Sequence, residues 1–363
     1  MTKRTGPPGT AAASPGTIRL AGTGAGTARS SPTRPGLHRR RLARLASEAV
    51  ERCQLDLSGR TVLTEAATGA YEVTAVLAAL AGACVYALAR PTRYASSAEL
   101  KSGTAELAKL AGVSGQIELV TDKSAEVIGA ADIVTNSGQV RPIDADMVPL
   151  LKPSAVIPLM YESWEFRHQD LDLEACRSHG IIVAGTSETH PAVDVFSFLG
   201  PMAVKQLHDA GIAVYGSKIF VLCDNAFAPF IARYLRQSGA AAAAHATLTA
   251  ACLRERWDAV LLALHPRAEP VLTAADARLL ADQAPGAVLV QYWGDADRAA
   301  LAAADVPVWP PQVPAPGHMG VLPCAVGPEA VVRLQAGGLK VGEVLANGLH
   351  QATAADLAFV QIL

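Results

Sequence analysis

The residues Met160-Tyr161-Glu162-Ser163-Trp164-Glu165-Phe166-Arg167-His168 gather two carboxylates, a guanidinium and an imidazole in a chain only 18% charged. Glu162 or Glu165 can serve as a general base where Trp164 and Phe166 partly desolvate it, because burial raises a carboxyl's proton affinity toward neutrality. Arg167 can grip a carboxylate or phosphate with two parallel bonds. The plain alternative is a capped loop with a surface ion pair. A second set follows in Gly185-Thr-Ser-Glu188-Thr-His190-Pro191 and Asp194, where His190 titrates near neutrality and is the first candidate for proton transfer. The alternative there is that Glu188 or Asp194 only fixes that ring. His318 is the second candidate, in the Gly/Pro-rich loop Pro314-Ala-Pro-Gly317-His318-Met-Gly320-Val-Leu-Pro323.

Other chemistries find no support. The six cysteines (Cys53, Cys84, Cys176, Cys223, Cys252, Cys324) form neither a CxxC pair nor a Cys/His ligand spacing, which argues against a metal site and a disulfide framework. Asp224-Asn225 reads as a helix cap. Lys205 and Lys340 read as exposed helix residues, and no Ser-His-Asp or nucleophilic Cys arrangement is arguable.

For a phosphate ligand, the turn Thr64-Glu-Ala-Ala-Thr68-Gly69-Ala70-Tyr-Glu-Val is a loosened dinucleotide fingerprint: one clear glycine, small alanines, and Thr68 as hydroxyl donor. About 20 residues on, where NAD-binding sheets place an acid against the ribose, stand Arg90, Thr92 and Arg93 instead. Two guanidiniums and no acid suit a 2′-phosphate, so NADP is favoured over NAD. A structural turn and a solvated loop are the alternatives. Gly22-Thr-Gly24-Ala-Gly26 imitates the fingerprint too, but prolines follow where a helix is required.

These residues need elements to hold them. Beyond Ser58, short β-branched runs alternate with helical periods, the pattern of a parallel sheet. Strands are expected at Thr61–Glu65, Cys84–Ala89, Ile117–Thr121, Asp132–Thr135, Ala155–Met160 and Ile181–Gly185, with helices at Val73–Ala81, Ala98–Ala111, Ala125–Ala130, Ala145–Leu150 and Leu171–His179. A helix over Ala192–Ala210 then leads to a second block with strands at Lys218–Cys223, Ala259–Leu264, Ala287–Tyr292 and Val306–Trp309. The segment Glu329–Asn347 reads as helix interrupted by Gly337-Gly338, folding back on the first block. The fold class is thus α/β: two Rossmann-like doubly wound domains joined by a long linker helix, behind a disordered N-terminal tail. The expected boundaries are 1–36 for the tail, 37–191 for the first domain, 192–216 for the linker and 217–363 for the second.

The fourth strand region reads Ala131-Asp132-Ile-Val-Thr135-Asn136-Ser137-Gly138-Gln-Val-Arg141-Pro-Ile143, followed by Leu150-Leu-Lys152-Pro-Ser-Ala-Val156-Ile-Pro. Here the chain resembles the nicotinamide-binding domains of the D-2-hydroxyacid dehydrogenase, S-adenosylhomocysteine hydrolase and alanine dehydrogenase superfamily, over roughly Ser58 to Thr186. The resemblance implies that Asn136, Ser137 and Gly138 line the cofactor side of the sheet, with Arg141 beside them.

Net charge is −2, from 31 basic and 33 acidic residues, so no general basic field exists to hold nucleic acid or an anionic membrane. The expectation is an NAD(P)-dependent oxidoreductase, cytoplasmic and homodimeric, acting on a small polar, anionic substrate in an interdomain cleft. Two alternatives stay open: a transferase or epimerase clamping a nucleotide-linked substrate, and a non-catalytic dinucleotide-fold sensor or scaffold.

Overall fold

The protein is described by a computed structural model over residues 34–363; the Gly22 to Gly26 run and most of the expected tail lie outside the described residues. Pro35–Leu37 already forms a 3-10 turn, so local structure begins inside the span read as tail.

The first half starts with helix α1 (Arg39–Cys53), then β1 (Thr61–Glu65), α2 (Thr74–Leu80), β2 (Cys84–Leu88), α3 (Ser97–Ala111), β3 (Ile117–Val120), α4 (Ala125–Ala130), β4 (Ile133–Val134), β5 (Val156–Pro158), α5 (Leu173–Ser178) and β6 (Ile182–Thr186). Then come α6 (Leu199–Asp209), β7 (Lys218–Leu222), α7 (Ala228–Gln237), β8 (Ala241–His245), β9 (Ala259–Ala263), α8 (Ala274–Gln283), β10 (Val288–Trp293), α9 (Arg298–Ala303) and β11 (Val308–Trp309). The chain closes with α10 (Glu329–Asn347), α11 (Ala354–Leu357) and β12 (Val360–Ile362).

Two sheets result. The first runs β12-β6-β5-β4-β1-β2-β3 and the second β11-β10-β9-β7-β8. All neighbours pair in parallel except β12, which runs antiparallel to β6 with Val360 opposite Thr186. These are the two common doubly wound orders, and each has a switch point where successive crossovers diverge: β1/β4 in the first sheet, β7/β9 in the second. Ligands of such sheets bind outside the strands' carboxyl ends at those points.

The strands form because both faces are buried: β1 is enclosed from Val62 onward and β9 throughout. Helix α3 starts at a reciprocal capping box between Ser96 and Glu99 and stops at Gly112 in left-handed conformation.

Four local expectations are corrected. Ala145–Leu150 is only a 3-10 turn at Val148–Leu150, where Pro149 removes a donor. The helix expected over Ala192–Ala210 begins at Leu199, because Asp194 takes φ +47° and a 3-10 turn intervenes at Phe196–Phe198. Helix α10 is not interrupted at Gly337-Gly338. A Cβ at Gly337 would stand 2.6 Å from a Val193 methyl, and one at Gly338 2.5 Å from the Met160 sulfur, so the glycines let α10 lie close on the first sheet. Finally, Lys340 is only 5% exposed, held by Glu343 at 2.7 Å, Asp356 at 3.4 Å and the Gln54 carbonyl.

Candidate functional site

Adjacent parallel strands β5 and β6 release the chain side by side, and this brings Glu162, Glu165 and Glu188 together. The Glu188 backbone N–H donates to Glu162 Oε1 at 3.1 Å, and the Trp164 indole N–H donates to the other Glu162 oxygen. Glu162 and Glu188 are buried. The Glu165 carboxyl is pushed up to about 7, first by burial and then by the Glu162 charge, with Arg167 opposing. The Glu188 carboxyl is likewise raised well above its ordinary value, by burial first and then by Glu165 and Glu162, and the Glu165 and Glu188 side chains hydrogen-bond to each other. Two carboxyls that bond to one another share a proton, because like charges in a dry site cannot both ionise. At neutral pH the pair can therefore give or take a proton. The sequence offers Glu188 only as an anchor for His190. Its partnership with Glu165 depends on strand adjacency, which no local spacing reports.

The other proton-transfer candidates are placed differently. His190 stacks on Phe359 with centroids 3.6 Å apart, its Nδ1 accepts from the Ala192 N–H, and burial lowers its proton affinity. His318 is exposed, with Nδ1 3.1 Å from the Pro316 carbonyl. Arg167 is half exposed and 3.8 Å from Asp170.

At the first sheet's switch point the expected cofactor residues are enclosed by protein. Asn136 and Ser137 are buried, with Asn136 Nδ2 on the Tyr161 hydroxyl at 2.8 Å and Ser137 Oγ 2.9 Å from Thr135 Oγ1. Gly138 meets the buried Glu65 carboxylate, which accepts from the Gln139 N–H at 3.2 Å. The Gln139 side chain spans the gap, donating to the Ala66 carbonyl and accepting from the Arg90 N–H. Arg141 is committed to the Asn136 carbonyl at 2.9 Å and to Asp170 at 3.1 Å. Gly69 has φ +65° beside Thr68 and Ala70, as a tight turn requires. A pyrophosphate here would meet Glu65, a carboxylate at the mouth of the turn. Arg90 reaches this crevice through its backbone N–H on Gln139, while Thr92 accepts from the Tyr94 N–H and Arg93 lies against the Tyr94 hydroxyl and ring.

The second sheet's switch point is lined by rings. Phe227 precedes α7, His265 follows β9 and Trp293 ends β10. Phe227 and Trp293 stack at 5.1 Å, and His265 meets Trp293 at 4.8 Å. The turn Cys223-Asp224-Asn225-Ala226-Phe227 has no glycine, and its polar side chains are engaged. Asp224 Oδ1 accepts from the His265 N–H at 2.8 Å, while Asn225 caps the Phe227 N–H at 3.0 Å and donates to the Ala263 carbonyl. Neither first turn therefore fits a pyrophosphate in the manner of a glycine-rich loop. Trp164 from the first half lies against this ring set, so the carboxyl ends of the two sheets meet there.

Among the described residues no group of three or more His, Cys, Asp or Glu is arranged to hold a metal ion, and no helix is long and apolar enough to cross a membrane. No family model matches the chain, and no curated protein does. The fold is similar to that of a dipicolinate synthase chain from Bacillus halodurans, at 11% identity over 82% of this chain and 100% of that one, with TM-score 0.52. The corresponding chain from Bacillus subtilis gives 12% identity, 82% and 98% coverage, and TM-score 0.51.

Proposed function

We propose that the protein is an oxidoreductase working with NADP or NAD on a small polar substrate held between the strand ends of its two sheets, with Glu165 exchanging the substrate's proton. One observation carries the reading: a carboxyl brought to about 7 by burial and a neighbouring charge, paired with a second carboxyl, at strand ends that face the other sheet. A group whose proton affinity matches the working pH is what general acid–base catalysis calls for. The resemblance of Ala131 to Pro158 to nicotinamide-binding domains and the shared fold add support.

The chain's own part is limited to its residues. Glu188 holds the proton that Glu165 delivers or receives, and Glu162 accepts from the Trp164 indole N–H. With Arg141 already engaged, the carboxylate-rich strand ends favour a neutral or cationic group at Glu165 over the anion expected from the sequence. A cytoplasmic homodimer belongs to the same proposal; light scattering reads its oligomeric part.

A second reading, a dinucleotide fold without turnover, is favoured by the carboxylates Glu65 and Asp224 in the two turns. Calorimetric titration with NADPH and NADH, followed by a screen of small amines, imines and carbonyl compounds for cofactor oxidation, separates the two. Turnover that disappears in Glu165→Gln supports the first. Cofactor binding without turnover across the screen supports the second, and absence of binding removes the nicotinamide from both.

A further inference from the structure

The 3-10 turn Ser163–Glu165, which places Glu165, has no cap of its own. Its N-cap residue is Glu162, whose carboxylate accepts from the Glu188 and Trp164 N–H groups instead of closing the turn. The first N–H groups of a helical turn have no partner within it, and a partly buried donor left unpaired is costly. The Ser163 N–H finds its acceptor far along the chain, in the Gln361 side-chain oxygen at 2.8 Å.

The reach of Gln361 is set by the sheet. Strand β12 runs antiparallel to β6 with Gln361 opposite Gly185, and directly opposed residues project from the same face. Gly185 has no side chain there, and the space is taken by the chain leaving β5: a Cβ on Gly185 would stand 2.5 Å from the Ser163 nitrogen and 2.8 Å from its Cα. Gln361, itself half-buried, therefore reaches past Gly185 onto the backbone seated above it. The same segment holds the exit of the other carboxyl. The Phe359 carbonyl accepts from the Ser187 N–H at 2.9 Å, next to Glu188, and the Phe359 ring stacks on His190. Strand β12 also enters from a fixed start, because α11 opens in a capping box between Thr353 and Asp356, and Asp356 meets the buried Lys340 of α10 at 3.4 Å.

We propose that Gln361 is a positioning residue for the Glu165–Glu188 pair: by accepting from the Ser163 N–H across Gly185, it sets the turn that carries Glu165 against the Glu188 exit that Phe359 holds. The inference rests on the proposed function in taking that pair as the acid–base group of the site. Two carboxyls share a proton only while their oxygens stay within hydrogen-bond reach, so a turn released from Gln361 draws them apart and lets water reach Glu165. The other groups facing the pair are Glu162, Arg167 and Tyr161 from the β5 exit and Tyr71 from the β1 exit, and they are unchanged in every variant below.

The test follows the glutamate carboxyls directly, by NMR titration of the full chain carrying carbon-13 at its glutamate side-chain carboxyls. Wild type shows a glutamate titrating near 7, assigned to Glu165 by its loss in E165Q. Gln361→Met keeps the length of the side chain and loses the acceptor, so that titration falls by about one unit as water reaches the carboxyl. Gln361→Glu keeps an acceptor and adds a like charge, so the titration stays in place or rises. Ile362→Ala, at a position 60% exposed, loosens β12 without touching Ser163 and leaves it in place. Where a compound of the amine, imine and carbonyl screen is turned over with NADPH, Q361M lowers kcat about tenfold by misplacing Glu165, and its pH profile moves in step with the NMR titration. An unshifted titration in Q361M overturns the proposal, and an equal fall in I362A overturns it by reducing the effect to strand docking in general. A wild type with no glutamate titrating near 7 removes the pair from the proposed function and the positioning role with it. Absence of turnover across the screen, beside the expected NMR response, strikes the reaction alone and supports the positioning role.

Discussion

The two sheets obey the same βαβ logic but finish their ligand-side edges in opposite ways. At the β1/β4 switch point of the first sheet, polar side chains close the crevice: Glu65, Gln139 and Asn136 bond to the backbone and to one another. At the β7/β9 switch point of the second, the rings of Phe227, His265 and Trp293 pack on one another, and Trp164 from the first half lies against them. A hydrogen-bonded closure is costly to open because each separated group must find a new partner. The Trp164 ring meets its neighbours only through tilted ring contacts, and its one hydrogen bond goes to Glu162. The shared architecture thus ends in a polar, hydrogen-bonded edge on one sheet and an aromatic edge on the other, which is how one fold supports different sites.

That contrast can be broken in several ways. The largest expected effect is on Glu165: Glu165→Gln lowers turnover by about a hundredfold or more, the usual contribution of a positioned acid or base. Its thermal stability stays level or rises, because a buried like-charge contact is removed. Steady-state kinetics beside calorimetry checks both.

Next is pH. The Glu165 carboxyl is higher in the folded chain than its ordinary value of 4.5, so the native state binds more protons than the unfolded state between there and about 7. Stability from this group is therefore greatest below 4.5 and falls as pH rises through 7, by on the order of 3 kcal/mol. Urea titrations across that window show the slope in wild type and a shallower one in E165Q.

Smaller is the effect of the turn carboxylates on NADPH binding. Asp224→Asn tightens it several-fold, and Glu65→Gln leaves it unchanged, because Asp224 is exposed at its turn while Glu65 is buried under Gln139. The reverse result would return the ligand to the first sheet. Smallest of all, Arg90→Ala with Arg93→Ala changes the preference between NADPH and NADH by less than about threefold, since the crevice they flank is closed. A loss of tenfold or more would reinstate them as 2′-phosphate ligands.

Much of the frame was legible because it is written locally. The span Thr61–Glu65 coincides with β1 and Ala125–Ala130 with α4, since apolar runs, Ser caps and glycine stops lie within a few residues of each other. What stayed hidden depends on distant partners. The Ala241–His245 run is rich in the strongest helix former, yet it forms β8 by pairing along β7 at the sheet edge. The strand β12 pairs with the edge that β6 offers, and the buried Lys340 is met by Gln54 and Asp356 from segments distant in sequence as well as by Glu343. The site follows the same division. Glu162 and Glu165 stand out as a local cluster, whereas the pairing with Glu188 and the three-ring set arise from strand exits far apart in sequence.

The close seat of α10 on the first sheet has a mechanical consequence. The chain leaves the first half near Asp194 and re-enters it through α10, and these two crossings are tied by the Arg333–Asp194 ion pair at 3.4 Å and by Val193 against Gly337. The second sheet is therefore an insert hung on two neighbouring strands of backbone. Such a pair of pivots permits rotation about the line joining them and resists twisting and separation. Both crossings pass through backbone of unusual conformation, Asp194 at φ +47° and Gly327 at φ +144°.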